Sequence, residues 1–354
     1  MKQKPLLHLL GVRHPIVQAP MIGVATPNLA AAVTNAGGLG SLGLGASTPE
    51  QAKELIDQTR ALTGGPLNTN LFCHQSAKFD RARNDVWIKQ LSPFFEAYGG
   101  QAPTDLKEVY RSFLTNEEML ITILRERPEV VSFHFGLPPA EWLQALKQRG
   151  IATLACATSV EEAHLVEAAG IDAIILQGIE AGGHRGVFDH ESGGDTELGL
   201  FTLLRLVASE VKLPLIAAGG IMDGAGIRAA MDLGASGVQM GTAFLGCPES
   251  STSSAHRDAL QTKRAYGTRM TRGISGRPAR GLPNKLFYES LAEKWAVAAE
   301  FPLAYDLSKQ LNVLAAKSGS TDFVAQWAGQ GAPLIRELPA SKLIETLVSE
   351  LNNF

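Results

Sequence analysis

Two short apolar runs in the second half of the chain, each ending in glycines, limit the possible folds more than any other feature. The first lies within residues 214–224, and the second begins at Gly237 and runs to Phe244. Each run is typical of a buried strand, and the glycines that follow allow backbone to approach a ligand closely. Asp223 is predicted to cap an intervening helix that ends at Gly234. In a (β/α)8 barrel, the loops after strands seven and eight commonly bind phosphate through backbone N–H groups and a helix N-terminus. We expect that site here.

The preceding sequence predicts six more strands separated by helices. They cover residues 15–21, 39–44, 66–72, 130–135, 151–157 and 173–177. Eight strands with helical crossovers favour a closed (β/α)8 TIM barrel of the α/β class. A doubly wound open sheet is the alternative, because the number of strands does not prove closure. The segment 38–43 matches G-x-G-x-x-G, but its glycines lie within a predicted strand rather than before a helix, which disfavours a dinucleotide fold.

Helix start signals accompany these strands. Thr26 is predicted to cap a helix with Pro27 at its first position, and capping boxes are predicted at 48–51 and 159–162. The stretch from about 74 to 129 is too long for an ordinary loop and is predicted to be a mostly helical insertion after strand three. We therefore expect a cofactor-binding barrel over 1–245. Residues 246–354 should form a loop and helical C-terminal region that closes over the barrel mouth.

Composition and cysteine use exclude several classes of protein. Among 354 residues, 32 Lys and Arg are interspersed with 35 Asp and Glu, for a net charge of −3. Since no basic stripe results, a nucleic-acid partner is not expected. Cys73, Cys156 and Cys247 lack metal-ligand spacing, which favours a reducing compartment and no metal. No apolar run approaches the ~18 residues of a membrane span, so a soluble cytoplasmic protein is expected.

The residues at the predicted strand ends indicate the kind of chemistry. There is no strand-end lysine for a Schiff base, no pair of carboxylates, no serine nucleophile motif and no metal-binding cluster. Amides, small residues and backbone are typical of a site for a planar cofactor with a phosphate. The chemical steps that these side chains cannot perform would then depend on that cofactor. FMN fits a barrel with one phosphate site. The strand-end residues include Ala19, Pro20, Met21, Asn70, His134, Cys156, Gln177, Gly219, Gly220, Gln239, Met240, Gly241 and Thr242.

The histidines differ in their settings. Gly182, Gly183 and Gly186 surround His184 on a loop after strand six, which favours a functional imidazole. His134 lies among apolar neighbours, where a structural role is the alternative. Phe301, Tyr305 and Lys309 share one face of a predicted helix at i, i+4 and i+8, which an ordinary amphipathic helix also explains.

Five segments together resemble class I nitronate monooxygenase, formerly called 2-nitropropane dioxygenase. They are residues 18–27, 35–40, 177–186, 217–224 and 239–244. The resemblance implies a TIM barrel with FMN, with His184 as the active-site histidine. It also implies a substrate pocket of His134, Phe301, Tyr305 and Lys309, although the family pattern has tyrosine where this chain has Phe301. The residues implied for FMN are Ala19, Pro20, Met21, Asn70, Gln177, Gly182, Gly219, Gly220, Gln239, Met240, Gly241 and Thr242.

The resulting hypothesis is oxidative denitrification of an alkyl nitronate by O2 to a carbonyl compound and nitrite. Propionate 3-nitronate is one candidate substrate. A protonated His184 or Lys309 would supply the positive charge that holds the nitronate anion. A neutral His184 would instead remove the α-proton of a nitroalkane, and the sequence leaves both roles open. The alternatives are a flavin-dependent NAD(P)H:quinone or enoyl-thioester reductase, and a non-catalytic barrel that binds a phosphorylated ligand.

Overall fold

Parallel strands closed into a barrel form the centre of the structure, a computed structural model that describes residues 3–191, 193–289 and 295–353. The barrel strands are β1 (Ile16–Gln18), β2 (Gly40–Gly43), β3 (Leu67–Phe72), β4 (Val130–His134), β5 (Ala152–Ala157), β6 (Ala173–Gln177), β8 (Leu215–Ala218) and β9 (Gly237–Met240). Their spatial order is β1-β9-β8-β6-β5-β4-β3-β2. The barrel closes where the Gln18 N–H donates to the Leu39 carbonyl and the Leu39 N–H donates to the Ile16 carbonyl, both at 2.9 Å. The predicted TIM barrel is confirmed, and the open sheet is excluded.

Helices surround the barrel and also cover its mouth. They are α1 (Gln3–Leu10), α2 (Pro27–Asn35), α3 (Pro49–Arg60), α4 (Arg81–Ala97), α5 (Glu117–Glu126), α6 (Ala140–Gln148), α7 (Val160–Ala168), α8 (Leu200–Glu210), α9 (Gly224–Asp232), α10 (Ser254–Leu260), α11 (Lys285–Glu289), α12 (Leu303–Ala316) and α13 (Ala340–Asn352). A separate antiparallel sheet joins β7 (Gly183–His184), β11 (Ala279–Gly281) and β10 (Arg269–Thr271). Because β11 pairs with β7, the C-terminal region is hydrogen-bonded to the loop that carries His184.

The last helix occupies a position that the sequence did not predict. α13 packs against α2 and α9, and Leu343, Ile344 and Leu347 are buried in the same core as Leu29 and Ile227. It is therefore the eighth outer helix of the barrel, whereas the sequence analysis placed all of 246–354 over the mouth. The apolar face of α13 fills the gap between the first and seventh outer helices.

The insertion after β3 contains α4 and then irregular chain, and α5 belongs to the barrel wall. The second helix of the stretch predicted to be mostly helical begins only at Glu117, because Asn116 caps it there. Met119 and Ile123 of α5 are buried in the barrel core. α4 instead packs against α12, where Trp87 and Leu91 meet Leu307 in a second core. Of the C-terminal stretch predicted to be helical from Lys285, residues 290–294 lie outside the described part.

Three predicted helix caps are confirmed, and one is modified. The side chains of Thr26, Thr48 and Asp223 each accept the predicted backbone N–H. Ser159 also caps its helix, but Glu162 does not return to the Ser159 backbone. Its carboxylate instead accepts from the Thr158 N–H at 2.6 Å and from the Phe188 N–H at 2.7 Å. A buried carboxylate needs such donors, and these tie the end of β5 to the loop after β6.

The capping box at Thr48 is expected to stabilise the start of α3. The Gln51 N–H donates to Thr48 Oγ1 at 3.3 Å, and the Thr48 N–H donates to Gln51 Oε1 at 2.9 Å. We expect Thr48→Ala to lower the free energy of unfolding by about 1 kcal/mol, because one N–H of α3 loses its partner. Urea denaturation measures this change. Ser47→Ala is the control, and an equal loss in both variants would contradict the capping role.

Candidate active site

A cavity of about 410 Å³ lies at the carboxyl ends of the barrel strands, under the region formed by α4, α12 and the C-terminal loops. This is where (β/α)8 barrels place their active sites. The structure brings together around it every residue that the sequence analysis assigned to the cofactor, and His134, His184 and Tyr305 also line it. The assigned cofactor residues are Ala19, Pro20, Met21, Asn70, Gln177, Gly182, Gly219, Gly220, Gln239, Met240, Gly241 and Thr242.

The loops after β8 and β9 offer unpaired backbone donors to this cavity. Gly219 and Gly220 have φ values of 129° and 69°, in the region that favours glycine. Among the described residues, no hydrogen-bond acceptor faces the N–H groups of Gly219, Gly220 or Thr242. Backbone N–H groups that have no acceptor within the protein can bind an anion such as phosphate.

The helix N-terminus expected at this site is not that of α9. Asp223 accepts from the Gly226 N–H at 2.8 Å, and Glu350 accepts from the Gly224 N–H at 2.9 Å. The start of α9 is therefore already occupied by two carboxylates. A short 3₁₀ helix, Thr242–Phe244, begins at the cavity instead and supplies its first N–H groups.

A glycine-containing segment over residues 328–331 closes one side of the cavity, and the sequence analysis did not identify it. A Cβ on Gly182 would lie 2.5 Å from the Gly329 nitrogen and 2.6 Å from the Ala328 carbonyl carbon. Glycine at 182 is therefore required by backbone packing rather than by a ligand alone. The Gly329 N–H also donates to Thr242 Oγ1 at 2.9 Å, which joins this segment to the proposed phosphate loop.

The three predicted amide side chains are held differently. Gln239 Oε1 is buried without a partner among the described residues, so it is available to a ligand. Asn70 donates to the Ser132 carbonyl at 3.2 Å and to its hydroxyl at 3.0 Å. Gln177 donates to the His184 carbonyl at 3.0 Å and accepts from the Gly186 N–H at 2.7 Å. Gln177 therefore fixes the loop that carries His184.

His184 lies deep in the cavity with one ring nitrogen engaged. Its Nε2 is 2.9 Å from Ser275 Oγ, and its ring centroid is 5.3 Å from that of Trp327 and 6.0 Å from that of Tyr305. Desolvation by burial, reinforced by His134 and Arg277, lowers the pKa of His184 to about 3. The imidazole is therefore neutral near pH 7, so it does not hold an anion by a charge of its own.

The other predicted pocket residues have distinct positions. His134 lines the cavity, and its Nε2 lies 3.2 Å from the His184 carbonyl, which gives it a supporting role. Desolvation by burial lowers the pKa of His134 to about 4. Phe301 precedes α12, so it does not lie on the predicted helical face. It is buried behind the cavity wall, with its ring centroid 5.5 Å from that of His184.

Lys309 is exposed, with its Nζ 4.6 Å from the ring centroid of Tyr110 and 4.9 Å from that of Tyr305. Although the residue as a whole is exposed, desolvation of its ammonium group lowers the pKa of Lys309 from its ordinary value. Its ammonium group therefore lies on the outer side of the two tyrosines, whereas Tyr305 and Tyr110 line the cavity itself.

Several residues around His184 escaped the sequence analysis because they come from segments without a recognisable motif. Tyr110 lies in the irregular part of the insertion, and Trp327 lies in a C-terminal loop. Ser275 and Arg277 lie in the loop part of the C-terminal region, for which the sequence analysis assigned no site residue. Arg277 is buried with its guanidinium carbon 4.1 Å from the Phe135 ring centroid. The local pattern carries no signal that these side chains converge on His184.

No group of three or more His, Cys, Asp or Glu side chains suited to a metal occurs in the described ranges. Cys73, Cys156 and Cys247 are free and buried. Within the described chain, no helix is long and apolar enough to cross a membrane.

Comparisons with known proteins agree on one family. The family model described as nitronate monooxygenase matches residues 3–350. A nitronate monooxygenase from Pseudomonas aeruginosa is 54% identical over 343 residues, which cover 97% of both chains. Among solved structures, nitroalkane oxidase from Streptomyces ansochromogenes is 40% identical, with a TM-score of 0.90 over 99% of this chain and 98% of the other. FabK from Thermotoga maritima is 29% identical, with a TM-score of 0.75 over 98% and 96%.

Proposed function

The chain belongs to the nitronate monooxygenase family, and from that premise we propose that it oxidises alkyl nitronates with O2 in the cavity at the barrel mouth, using FMN. The products are a carbonyl compound and nitrite. The observation that carries the proposal is the imidazole of His184, which shares one cavity with backbone N–H groups that have no acceptor among the described residues. An anion-binding end and a base in one cavity suit a phosphate-bearing cofactor and a substrate with an acidic C–H bond.

The residues of the cavity fit FMN. The N–H groups of Gly219, Gly220 and Thr242 would hold its phosphate, and Gln239 offers an amide whose oxygen is buried without a partner. Asn70 lines the cavity nearby, with its NH₂ group already bonded to Ser132. When bound, FMN supplies the redox chemistry that side chains lack.

The neutral state of His184 extends the proposed substrate range to nitroalkanes. A neutral imidazole accepts the α-proton of a nitroalkane and so makes the nitronate inside the cavity. Tyr305 lines the same cavity and its hydroxyl would donate to the nitro group, while Lys309 would add positive charge from the outer side of the ring. The resulting anion is thereby held without a protonated His184.

We also propose that 74–112, 246–289 and 295–339 act together as a cover that limits water around the substrate, while 340–352 belongs to the barrel. Three free buried cysteines suit a reducing compartment, and we propose the cytoplasm.

The direct test is to mix the purified yellow protein with ethylnitronate in air and to measure oxygen uptake and nitrite. Both are expected, in proportion to the nitronate consumed. A protein with intact FMN that yields neither product would remove the monooxygenase proposal.

The same preparation tests the alternative given by the sequence, a flavin-dependent reductase that uses NAD(P)H. Under anaerobic conditions NADH would then bleach the flavin rapidly, which we do not expect. A colourless protein that takes up no added FMN would instead indicate a barrel that binds a phosphorylated ligand without catalysis.

The unpartnered oxygen of Gln239 predicts a contribution to cofactor affinity. Gln239→Met keeps the volume but removes the amide, so we expect the Kd for FMN to rise about 10-fold, the equivalent of one hydrogen bond. Titration of the apoprotein with FMN, followed by quenching of flavin fluorescence, measures the change. Gln148→Met, on the exposed end of α6, is the matched control. An unchanged Kd in Gln239→Met would place this amide outside the cofactor site.

A further inference from the structure

The hydroxyl of Ser275 lies between the ring of His184 and a backbone carbonyl. Ser275 Oγ is 2.9 Å from His184 Nε2 and 3.1 Å from the Arg277 carbonyl oxygen, to which it donates. A serine hydroxyl has one proton and two lone pairs. Because a carbonyl only accepts, the proton of Ser275 is committed to Arg277, and toward His184 the oxygen can only accept. The hydrogen on this side of the imidazole must therefore be on Nε2.

A hydrogen bond donated by Ser275 to His184 Nε2 would be energetically unfavourable. If Ser275 donated to Nε2, the Arg277 carbonyl would lose its hydrogen bond, since no other donor to it occurs among the described residues. Both residues are buried, at 1% and 2% exposure. An unpaired buried carbonyl costs more than a hydrogen bond between two partners gains, so the structure favours the Nε2–H form.

The position of Ser275 is fixed by its surroundings. Gly276 has a φ of 88°, and a Cβ there would lie 2.4 Å from the Ala299 carbonyl oxygen. Two residues after Arg277, Ala279 pairs with His184 in the small antiparallel sheet. The Arg185 N–H also donates to the Pro278 carbonyl at 2.8 Å. The backbone bonds that position the imidazole therefore also position the serine that contacts it.

The second ring nitrogen is free for chemistry. Nδ1 of His184 has no hydrogen-bond partner among the described residues, and the ring lines the cavity. We propose that Ser275 is a positioning residue that holds His184 in the Nε2–H tautomer, so that Nδ1 is the atom that accepts the substrate proton. This inference rests on the proposed function of the cavity.

The proposed step is a simple proton transfer. The α-C–H bond of the nitroalkane breaks and its proton forms an N–H bond at Nδ1. The C–H electron pair forms the C=N bond of the nitronate, and the π pair of the N=O bond moves onto that oxygen. The imidazolium then carries hydrogen on both nitrogens, and the Nε2–H···Oγ bond to Ser275 is retained and strengthened by the charge. A nitronate supplied directly bypasses this step.

The test combines a spectroscopic and a kinetic measurement on the FMN-loaded enzyme. In protein labelled with ¹⁵N-histidine, the His184 signals, assigned by their loss in His184→Asn, are expected to show a protonated Nε2 and a bare Nδ1. Ser275→Ala is expected to give a mixture of tautomers. Its turnover of nitroethane should fall about 10-fold, as one hydrogen bond is lost, whereas turnover of ethylnitronate should change by less than about twofold.

Two further variants test whether the effect depends on the hydroxyl at position 275. Ser275→Thr retains the hydroxyl and is expected to restore both the tautomer and nitroethane turnover. Ser236→Ala removes a buried hydroxyl that has no partner among the described residues, so it should change neither measurement.

A wild-type signal showing hydrogen on Nδ1 would overturn the proposal. So would equal losses with nitroethane and ethylnitronate in Ser275→Ala. Failure of the wild type to oxidise either substrate would instead refute the proposed function, while the tautomer measurement would still stand.

Discussion

Asparagine in place of His184 is expected to leave FMN bound while lowering turnover of nitroethane about 10²-fold or more, the usual loss when a general base is removed. The asparagine amide is close in size to part of the imidazole and can still donate to Ser275, so the loop should keep its place. It cannot accept a proton from carbon. Flavin absorbance together with nitrite release in steady state measures the two parts of this prediction.

His164→Asn is the matched control, because His164 lies exposed on α7 with only a distant contact to Glu210 at 3.7 Å. It should leave turnover and flavin content unchanged. Near-normal turnover of nitroethane in His184→Asn would make this histidine a bystander. Loss of flavin in His184→Asn would mean that the imidazole holds the cofactor rather than the substrate proton.

The barrel was predictable because its signals are local. Most strands are short apolar runs bounded by Gly, Pro or a polar residue, and the side chains of Thr26, Thr48 and Asp223 each accept a hydrogen bond from the backbone N–H three residues later, at the start of a helix. The carboxyl ends of such strands meet at one rim. The sequence therefore predicted the part of the cavity lining that the strand ends supply.

The contacts around His184 were not predictable, because they join segments far apart in the chain. Ser275 is 91 residues from His184 along the sequence, and Trp327 and Tyr110 come from two further segments. Gln177 was expected to face the cofactor, yet both ends of its amide hold the 184–186 loop. Lys309 was expected in the pocket. Its ammonium group lies instead over the rings of Tyr110 and Tyr305, on the side away from the cavity.

Buried histidines make the stability of the folded protein depend on pH. His74, His134, His184 and His256 all have their pKa lowered to between about 3 and 4, with desolvation as the largest cause. In the unfolded chain they would protonate near pH 6.5. As pH falls below that value, the unfolded state gains protons that the folded state does not bind. The stability present above pH 6.5 is therefore lost on acidification, down to about pH 4.

His74 allows this to be tested without disturbing the chemistry. Its ring lies 5.1 Å from that of Phe301, and both its nitrogens are buried without a hydrogen bond among the described residues. Desolvation by burial, together with Arg277, lowers the pKa of His74 to about 4, and the opposing effect of the Tyr110 backbone is smaller. Phenylalanine would fill the same aromatic cluster without a titrating group.

We expect His74→Phe to raise the free energy of unfolding at pH 5 by about 2 kcal/mol more than at pH 7.5, because removing this group abolishes its proton uptake on unfolding. Urea denaturation at the two pH values measures the difference. His164→Asn should show no such gain, since that imidazole is exposed in the folded state. An equal gain at both pH values would show that packing, rather than protonation, limits stability at this position. The acid limit of activity should move with the unfolding midpoint in His74→Phe, because the base itself stays neutral down to about pH 3.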